Sequence, residues 1–272
     1  MKSTLQRIEE IKRNGYKLDL GEVINDTFEN YKKIALLGGA VLLLVGFVSI
    51  AIIGGTAALI FGFGEFTQSI TDYNAGFVTS TALVLNLIAS VIGGGLFAPI
   101  TAGLIQMAHN ASANEDFDFR TAFMHYSTEH FKELFFGAAI IALLGTGLTT
   151  AIELIKINAT DGGLMIIGTV VTTLISGLVQ IFTILMIPLI IFGKLKAVDA
   201  IKGSIVLVSK HFWVILLLAI LAYIFVLLGL VAICIGIIFT IPVFFSMQYI
   251  IYTKAMPIVE TNELDEIGKN FY

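Results

Sequence analysis

A chain of 272 residues that is 57% hydrophobic and only 13% charged, with mean hydropathy +0.93, is not a soluble globular domain, which carries about 25% charged residues. The net charge of -4 matters less than where the charges sit. A single cysteine, Cys234, lies inside an apolar run and excludes an intramolecular disulfide and any CxxC metal or redox motif.

The N-terminal segment carries Lys2, Arg7, Lys12, Arg13 and Lys17 with no apolar core beside them, so no cleavable signal peptide is expected. Leu5, Ile8 and Ile11 predict a short surface helix that stops at Gly15. From Asp19 onward, Leu20, Val23, Ile24, Phe28 and Tyr31 share one helical face, and Asp19 followed by Glu22 reads as a helix start.

A helix needs about 20 apolar residues to cross the hydrocarbon layer. Stretches 34–62, 78–107, 134–152 and 164–192 each qualify. The stretch 212–253 has no Asp, Glu, Lys or Arg and is long enough for two crossings, with Gly229 and Gly236 flanking the turn. None of these runs shows the strict alternation of a barrel strand, and lipid admits only helices or closed barrels. The fold class is therefore all-α, a polytopic membrane protein with six transmembrane helices.

Short amphipathic segments precede each pair of spans, beginning near Asp19, Asp118 and Lys196. In the second, Phe119, Ala122, Phe123 and Tyr126 recur, and in the third Val198, Ile201, Ile205, Val208 and Phe212 step by three and four. Such segments lie in the interface or extend the spans, and the interfacial arrangement is the favoured expectation. Tyr31-Lys32, Phe131-Lys132 and Phe212-Trp213 mark matching junctions at headgroup level.

The spans thus group into three hairpin units, 19–107, 118–192 and 196–257, in one membrane domain 1–257 with N-terminal tail 1–18 and C-terminal tail 258–272. Pro99, Pro188 and Pro242 each fall in the second span of a unit, at differing depths. Of the 16 Lys and Arg residues, all but Lys156 fall on one side of the spans. The positive-inside tendency then predicts a bacterial inner membrane protein with both termini in the cytoplasm. The opposite connections, around 63–77 and 153–163, carry Glu65, Asp72, Glu153 and Asp161.

No ionisable residue sits centrally in a span, which argues against a proton-driven pump or an intramembrane protease built on paired acids. The polar candidates within spans are Asn86, Gln106, Gln180 and Gln248, which line a cavity or hydrogen-bond between helices. Ser90, Gly94 and Ala98 recur at spacing four beside Gly93 and Gly95, a stripe suited to close helix packing. His109, His125, His130 and His211 all lie near the basic boundary. His125 and His130 are about 140° apart around a helix, and no HExxH or HxxxH pattern occurs, so no metal site is expected.

The amphipathic run 200–212 leading into Trp213, and the closing run Gly-Leu-Val-Ala-Ile-Cys-Ile-Gly-Ile-Ile-Phe-Thr-Ile-Pro from Gly229 to Pro242, carry a family likeness. The chain resembles uncharacterised bacterial six-span proteins, and the membrane domain that precedes some glycerophosphodiester phosphodiesterases. The resemblance spans most of 19–257 and rests on hydrophobic patterns. It includes no counterpart of that family's catalytic barrel, so no catalytic residue is carried over. Similar chains are labelled carotenoid oxygenases, an activity that would need iron held by several histidines. The expected function is a non-catalytic inner-membrane protein associating with lipids or envelope partners. A small-molecule or lipid transporter is the alternative, and a metal-dependent membrane enzyme the second. Membrane lipids and a membrane-protein partner are the expected partners; no nucleic acid and no cofactor are expected.

Overall fold

The computed structural model describes residues 2–62, 64, 67–68, 71, 79–156, 162–232 and 236–258. The elements run α1 (Thr4–Asn14), α2 (Leu20–Phe61), α3 (Ser80–Ala113), a 3-10 helix η1 (Thr121–Tyr126), α4 (Phe131–Lys156), α5 (Gly162–Thr183), α6 (Met186–Ile191), α7 (Ala197–Lys210), α8 (Phe212–Ala232), α9 (Gly236–Thr240) and α10 (Val243–Ala255). No strand occurs among the described residues. Six stretches are long and apolar enough to cross a membrane: Leu20–Thr56, Ser80–Ala113, Phe131–Lys156, Gly162–Ile191, Phe212–Gly229 and Gly236–Ala255. The molecule is an all-helical polytopic membrane protein, as its composition requires. Of the connection residues, Glu65, Asp72 and Asp161 lie outside the described residues, as do Cys234 and the tail beyond Ile258. Glu153 belongs to the last turn of α4, which runs on to Lys156.

The three amphipathic segments take three different forms. The first is the opening of α2, a single helix of 42 residues capped by Asp19, whose Oδ1 accepts the Glu22 amide. At 1.5 Å per residue it is about 63 Å long, twice the hydrocarbon thickness of about 30 Å. It extends the span and has no break at which to turn into the interface, so the interfacial expectation does not hold for this segment. The second is only η1, started by Asp118 Oδ1, which accepts the amides of Arg120 and Thr121. The third, α7, is a separate helix that ends at His211, one residue before α8. Glu133 of α4 supplies its missing cap, with Oε2 accepting the Ala197 amide at 2.7 Å.

The buried core occupies the end of the bundle that carries most of the Lys and Arg residues. Ile34 and Val41 of α2, residues 98–111 of α3, Leu134 of α4, Leu189 and Ile190 of α6, Leu207 of α7 and Met247 and Ile251 of α10 meet there. Glycines set the approach of these helices. A Cβ on Gly38 would lie 3.2 Å from Pro242 Cγ, and one on Gly39 3.1 Å from Phe239 Cα, so α9 and α10 cross α2 against bare backbone. At the turn between α8 and α9, a Cβ on Gly229 would come within 3.0 Å of the Gly236 carbonyl. Toward the opposite end the apolar side chains are open: Leu59, Ile155 and Ile166 are 89%, 73% and 68% exposed, the surfaces lipid would cover.

The N-terminal helix predicted from Leu5, Ile8 and Ile11 is α1, closed at its start by the Ser3–Gln6 capping box and ended by Gly15 at φ +73°. It docks rather than trails. Ile8 and Ile11 are buried, and Ile8 seats over Gly203 of α7, where a Cβ would meet it at 2.9 Å. Thr4 Oγ1 donates to the Gly193 carbonyl, and Tyr16 Oη to that of Leu207.

The three prolines play different parts. Pro99 sits inside the continuous α3, Pro188 in the first turn of α6, and Pro242 at the N-cap of α10. At the α5–α6 break, Ser204 of α7 mends the backbone: its Oγ donates to the Phe182 carbonyl (2.7 Å) and accepts the Leu185 amide (3.1 Å). Buried backbone groups need such partners where a helix is interrupted.

His125 of η1 is 3% exposed, and its Nε2 has no hydrogen-bond partner. Burial, and secondarily the neighbouring His130, push its pKa down to about 4. The unfolded chain takes up this proton near pH 6.5 and the folded chain near pH 4. The native state therefore binds fewer protons in that window, and stability falls as the pH drops through it, by about 3 kcal/mol in all. Thermal unfolding in detergent between pH 7 and pH 4 is expected to show this loss. His125→Leu is expected to remove that component and to leave stability at pH 7 nearly unchanged.

Candidate functional site

Away from the packed core, α3, α4, α5 and α8 part to form a cleft of about 670 Å³. That is the size of an ordinary small-molecule site, about 300–1,000 Å³. Its walls mix polar side chains with apolar surface, although the spans are apolar. From α4 come Thr146, Thr149, Thr150 and Glu153; from α5 Thr172, Thr173, Ser176, Gly177 and Gln180; from α3 Leu83 and Asn86; from α8 Tyr223. On α4 the spacing is i, i+3, i+4, i+7, which puts all four side chains on one face. On α5 the polar positions likewise recur every three or four residues.

Two close approaches frame the gap between α4 and α5. At its inner end a Cβ on Gly145 would touch Val179 Cγ1 at 3.5 Å. At its outer end the stem of Lys156 lies on Gly168, where a Cβ would be 2.6 Å from Cδ. The Lys156 ammonium donates to Glu153 Oε1 at 2.8 Å and to Thr169 Oγ1 at 2.9 Å. The pair sits at the helix ends, with side chains 15% and 35% exposed, so both charges reach partners and water.

Hydroxyls tolerate an apolar span because each can bond its own helix. Thr149 Oγ1 donates to the Thr146 carbonyl, Thr172 and Thr173 both donate to that of Thr169, and Ser176 donates to that of Thr172. Thr150 and Thr172 are buried; Asn86, Gln180 and Tyr223 are exposed to the gap.

Of the residues singled out in the sequence, Asn86 and Gln180 come together in this cleft. Gln106 lies in the packed end, donating to Asn110 Oδ1 at 2.9 Å, and Gln248 is half-buried on α10. Gly94 faces α4, where a Cβ would meet Ala142 at 3.7 Å. Ala98 is buried and Ser90 half-buried. The closer contact belongs to Gly95, against the Phe135 ring. No single residue of the threonine stripes, nor Tyr223, stands out in the sequence, and Glu153 reads there as part of a connection. The visible signal was the three-and-four spacing of Thr146, Thr149, Thr150 and Glu153 on one span and of Thr169, Thr172, Thr173, Ser176 and Gln180 on the next.

A second cavity, of about 250 Å³, is apolar and lies between α2, α8 and α10, lined by Ile24, Phe28, Leu218, Leu221, Val243 and Met247 among others. The buried Thr27 hydroxyl on its wall has no hydrogen-bond partner.

The histidines are dispersed in separate contacts. His109 Nδ1 lies 3.2 Å from Tyr249 Oη, His211 Nε2 bonds the Tyr16 carbonyl, and the His125 ring lies 6.1 Å from that of His130, tilted by 55°. Among the described residues no three of His, Cys, Asp or Glu are placed to share a metal. Compared with family models, curated proteins and solved structures, the chain matches none.

Proposed function

We propose that this chain is a non-catalytic protein of the bacterial inner membrane that binds lipid, with the headgroup end of a lipid seated in the polar cleft. The observation that carries this reading is the cleft itself: hydrogen-bonding walls at a depth where lipid-facing surfaces are apolar. An amphiphile fits such a site, since its polar end meets the threonines while its chains stay against the exposed apolar faces of α5 and α8. The charge distribution supports termini in the cytoplasm and a cleft on the far side of the membrane. The grouping of the spans into three cytoplasm-to-cytoplasm units belongs to the same reading.

Native mass spectrometry of the protein purified in mild detergent tests it. One or two lipids are expected to survive delipidation, with the number falling when Gln180→Leu is combined with Asn86→Leu. A protein stripped bare under conditions that preserve its fold would refute lipid binding.

The second reading is transport of a lipid or small molecule. The specific support is asymmetry: the cleft occupies one end of the bundle and the buried core closes the other. Transport requires that core to part, so cross-linking α2 to the start of α10 through cysteines at Gly38 and Pro242, whose Cβ atoms would lie 3.4 Å apart, would abolish transport and leave lipid retention intact.

A further inference from the structure

The cleft is specific in the direction of its hydrogen bonds. A hydroxyl has one proton, and those of Thr149, Thr172, Thr173 and Ser176 are spent on carbonyls of their own helices, at 3.0, 2.9, 2.8 and 2.9 Å. What these side chains turn toward the gap is lone pairs. Glu153 adds a carboxylate that engages Lys156 through Oε1 alone, so its second oxygen is a charged acceptor. Tyr223 contributes an aromatic ring, which attracts cations. Among the described residues the neighbouring cation is Lys156, which is held by Glu153 and Thr169, with its stem packed on Gly168, and is not part of the lining. Every polar side chain of the walls can therefore accept a hydrogen bond, whereas only half of them, Asn86, Gln180, Thr146, Thr150 and Tyr223, bring protons of their own, and the one carboxylate, paired with Lys156 through Oε1, keeps an oxygen for a further donor.

We infer that the cleft selects a primary ammonium group, carried by the headgroup of an aminophospholipid. A primary ammonium has three donors and no acceptor, the complement of this lining. N-methylation to a trimethylammonium removes all three donors and strands the oxygens without partners. An anionic headgroup would face Glu153 and a row of lone pairs. This inference rests on lipid binding in the cleft and adds the chemistry that the site prefers.

The test uses the full chain in nanodiscs of equimolar phosphatidylethanolamine, phosphatidylcholine and phosphatidylglycerol with identical acyl chains. After extraction, the lipids retained are identified by native mass spectrometry. Retention of the ethanolamine lipid over each competitor by roughly tenfold is expected, the worth of one charge-assisted hydrogen bond. Glu153→Gln and, separately, Thr172→Val with Thr173→Val and Ser176→Ala are expected to bring retention down to the membrane composition. The two variants lie on different helices, so misfolding of one leaves the other informative, and the wild-type ranking decides without either.

Retention that follows membrane composition, or favours choline or glycerol headgroups, overturns the ammonium assignment while lipid binding stands. No retained lipid in a folded protein overturns both. Ethanolamine added to the lipid-bound protein separates the two sources of the group. If it leaves the lipid in place the ammonium is the lipid's own, and if it displaces the lipid and raises the melting temperature the site belongs to a soluble amine.

Discussion

Gly103→Ala is expected to lower the stability of this protein more than any other glycine-to-alanine change in α3. The glycine lies under η1, and a Cβ there would collide with the backbone carbonyl of Ala122 and lie 2.6 Å from Ala122 Cα. A flexible side chain can swing away from such an intruder, but a backbone segment must be displaced whole. η1 is held in place by Asp118 at its start and by the buried Ala122 and His125 on its inner face. The expected loss is about 3 kcal/mol, the upper end for overpacking, and it would appear as a lower melting temperature and a lower sodium dodecyl sulfate midpoint in mixed micelles. Gly93→Ala is the control: nothing lies within 4 Å of its added Cβ, and alanine is the better helix former. Equal behaviour of the two variants would remove η1 as a packed part of the fold.

Asn30→Leu is expected to cost a similar amount by a different route. Asn30 is 4% exposed, where α2, α3 and α10 meet. Its Nδ2 donates to the Ala108 carbonyl at 2.6 Å and to Ser112 Oγ at 2.8 Å, and its Oδ1 accepts from Ser246 Oγ at 2.7 Å. Leucine forfeits three bonds and leaves the fully buried Ser246 hydroxyl without its acceptor. Lost bonds and a stranded polar group together come to about 2–4 kcal/mol. Ser246→Ala alone removes a single bond and is expected to cost about 1 kcal/mol. In the double variant the stranded hydroxyl is gone, so the sum of the single effects should exceed the double effect by about 1 kcal/mol or more. Strict additivity would show that α2 and α10 are not joined through this pair.

Much of the architecture was legible because lipid leaves few options. Apolar runs of the right length with no alternation must be helices, and Gly229 and Gly236 do lie in the last turn of α8 and at the start of α9, the link between them falling outside the described residues. The N-terminal helix was equally legible, with its apolar positions and a glycine to stop it. The amphipathic segments were only half legible. Apolar spacing alone does not separate a helix that continues into a span from one that ends before it, and α2 and α7 go opposite ways. Ser204 and Asn30 carried no signal at all, since a serine or asparagine becomes a structural tie only when another helix brings it a partner.

The cleft divides along the same line. Asn86 and Gln180 stood out as polar residues in apolar spans, whereas the threonines were passed over individually and matter as aligned stripes. Which stripes face each other is settled by contacts between successive helices such as Gly145 with Val179 and Lys156 with Gly168.

Taken alone, the sequence determined the helical class, the six spans and the gathering of nearly every lysine and arginine on one side, because these follow from solvation of each segment by itself. The tertiary structure decided how each helix is rotated about its axis, hence which polar residues meet in the cleft and which are sealed in the core. In a bilayer, lipid and the neighbouring helix are equally apolar, so the usual inside-versus-outside pattern that would orient a helix is missing. Only close-range shape, glycine against ring or backbone, and hydrogen bonds between helices can supply that orientation.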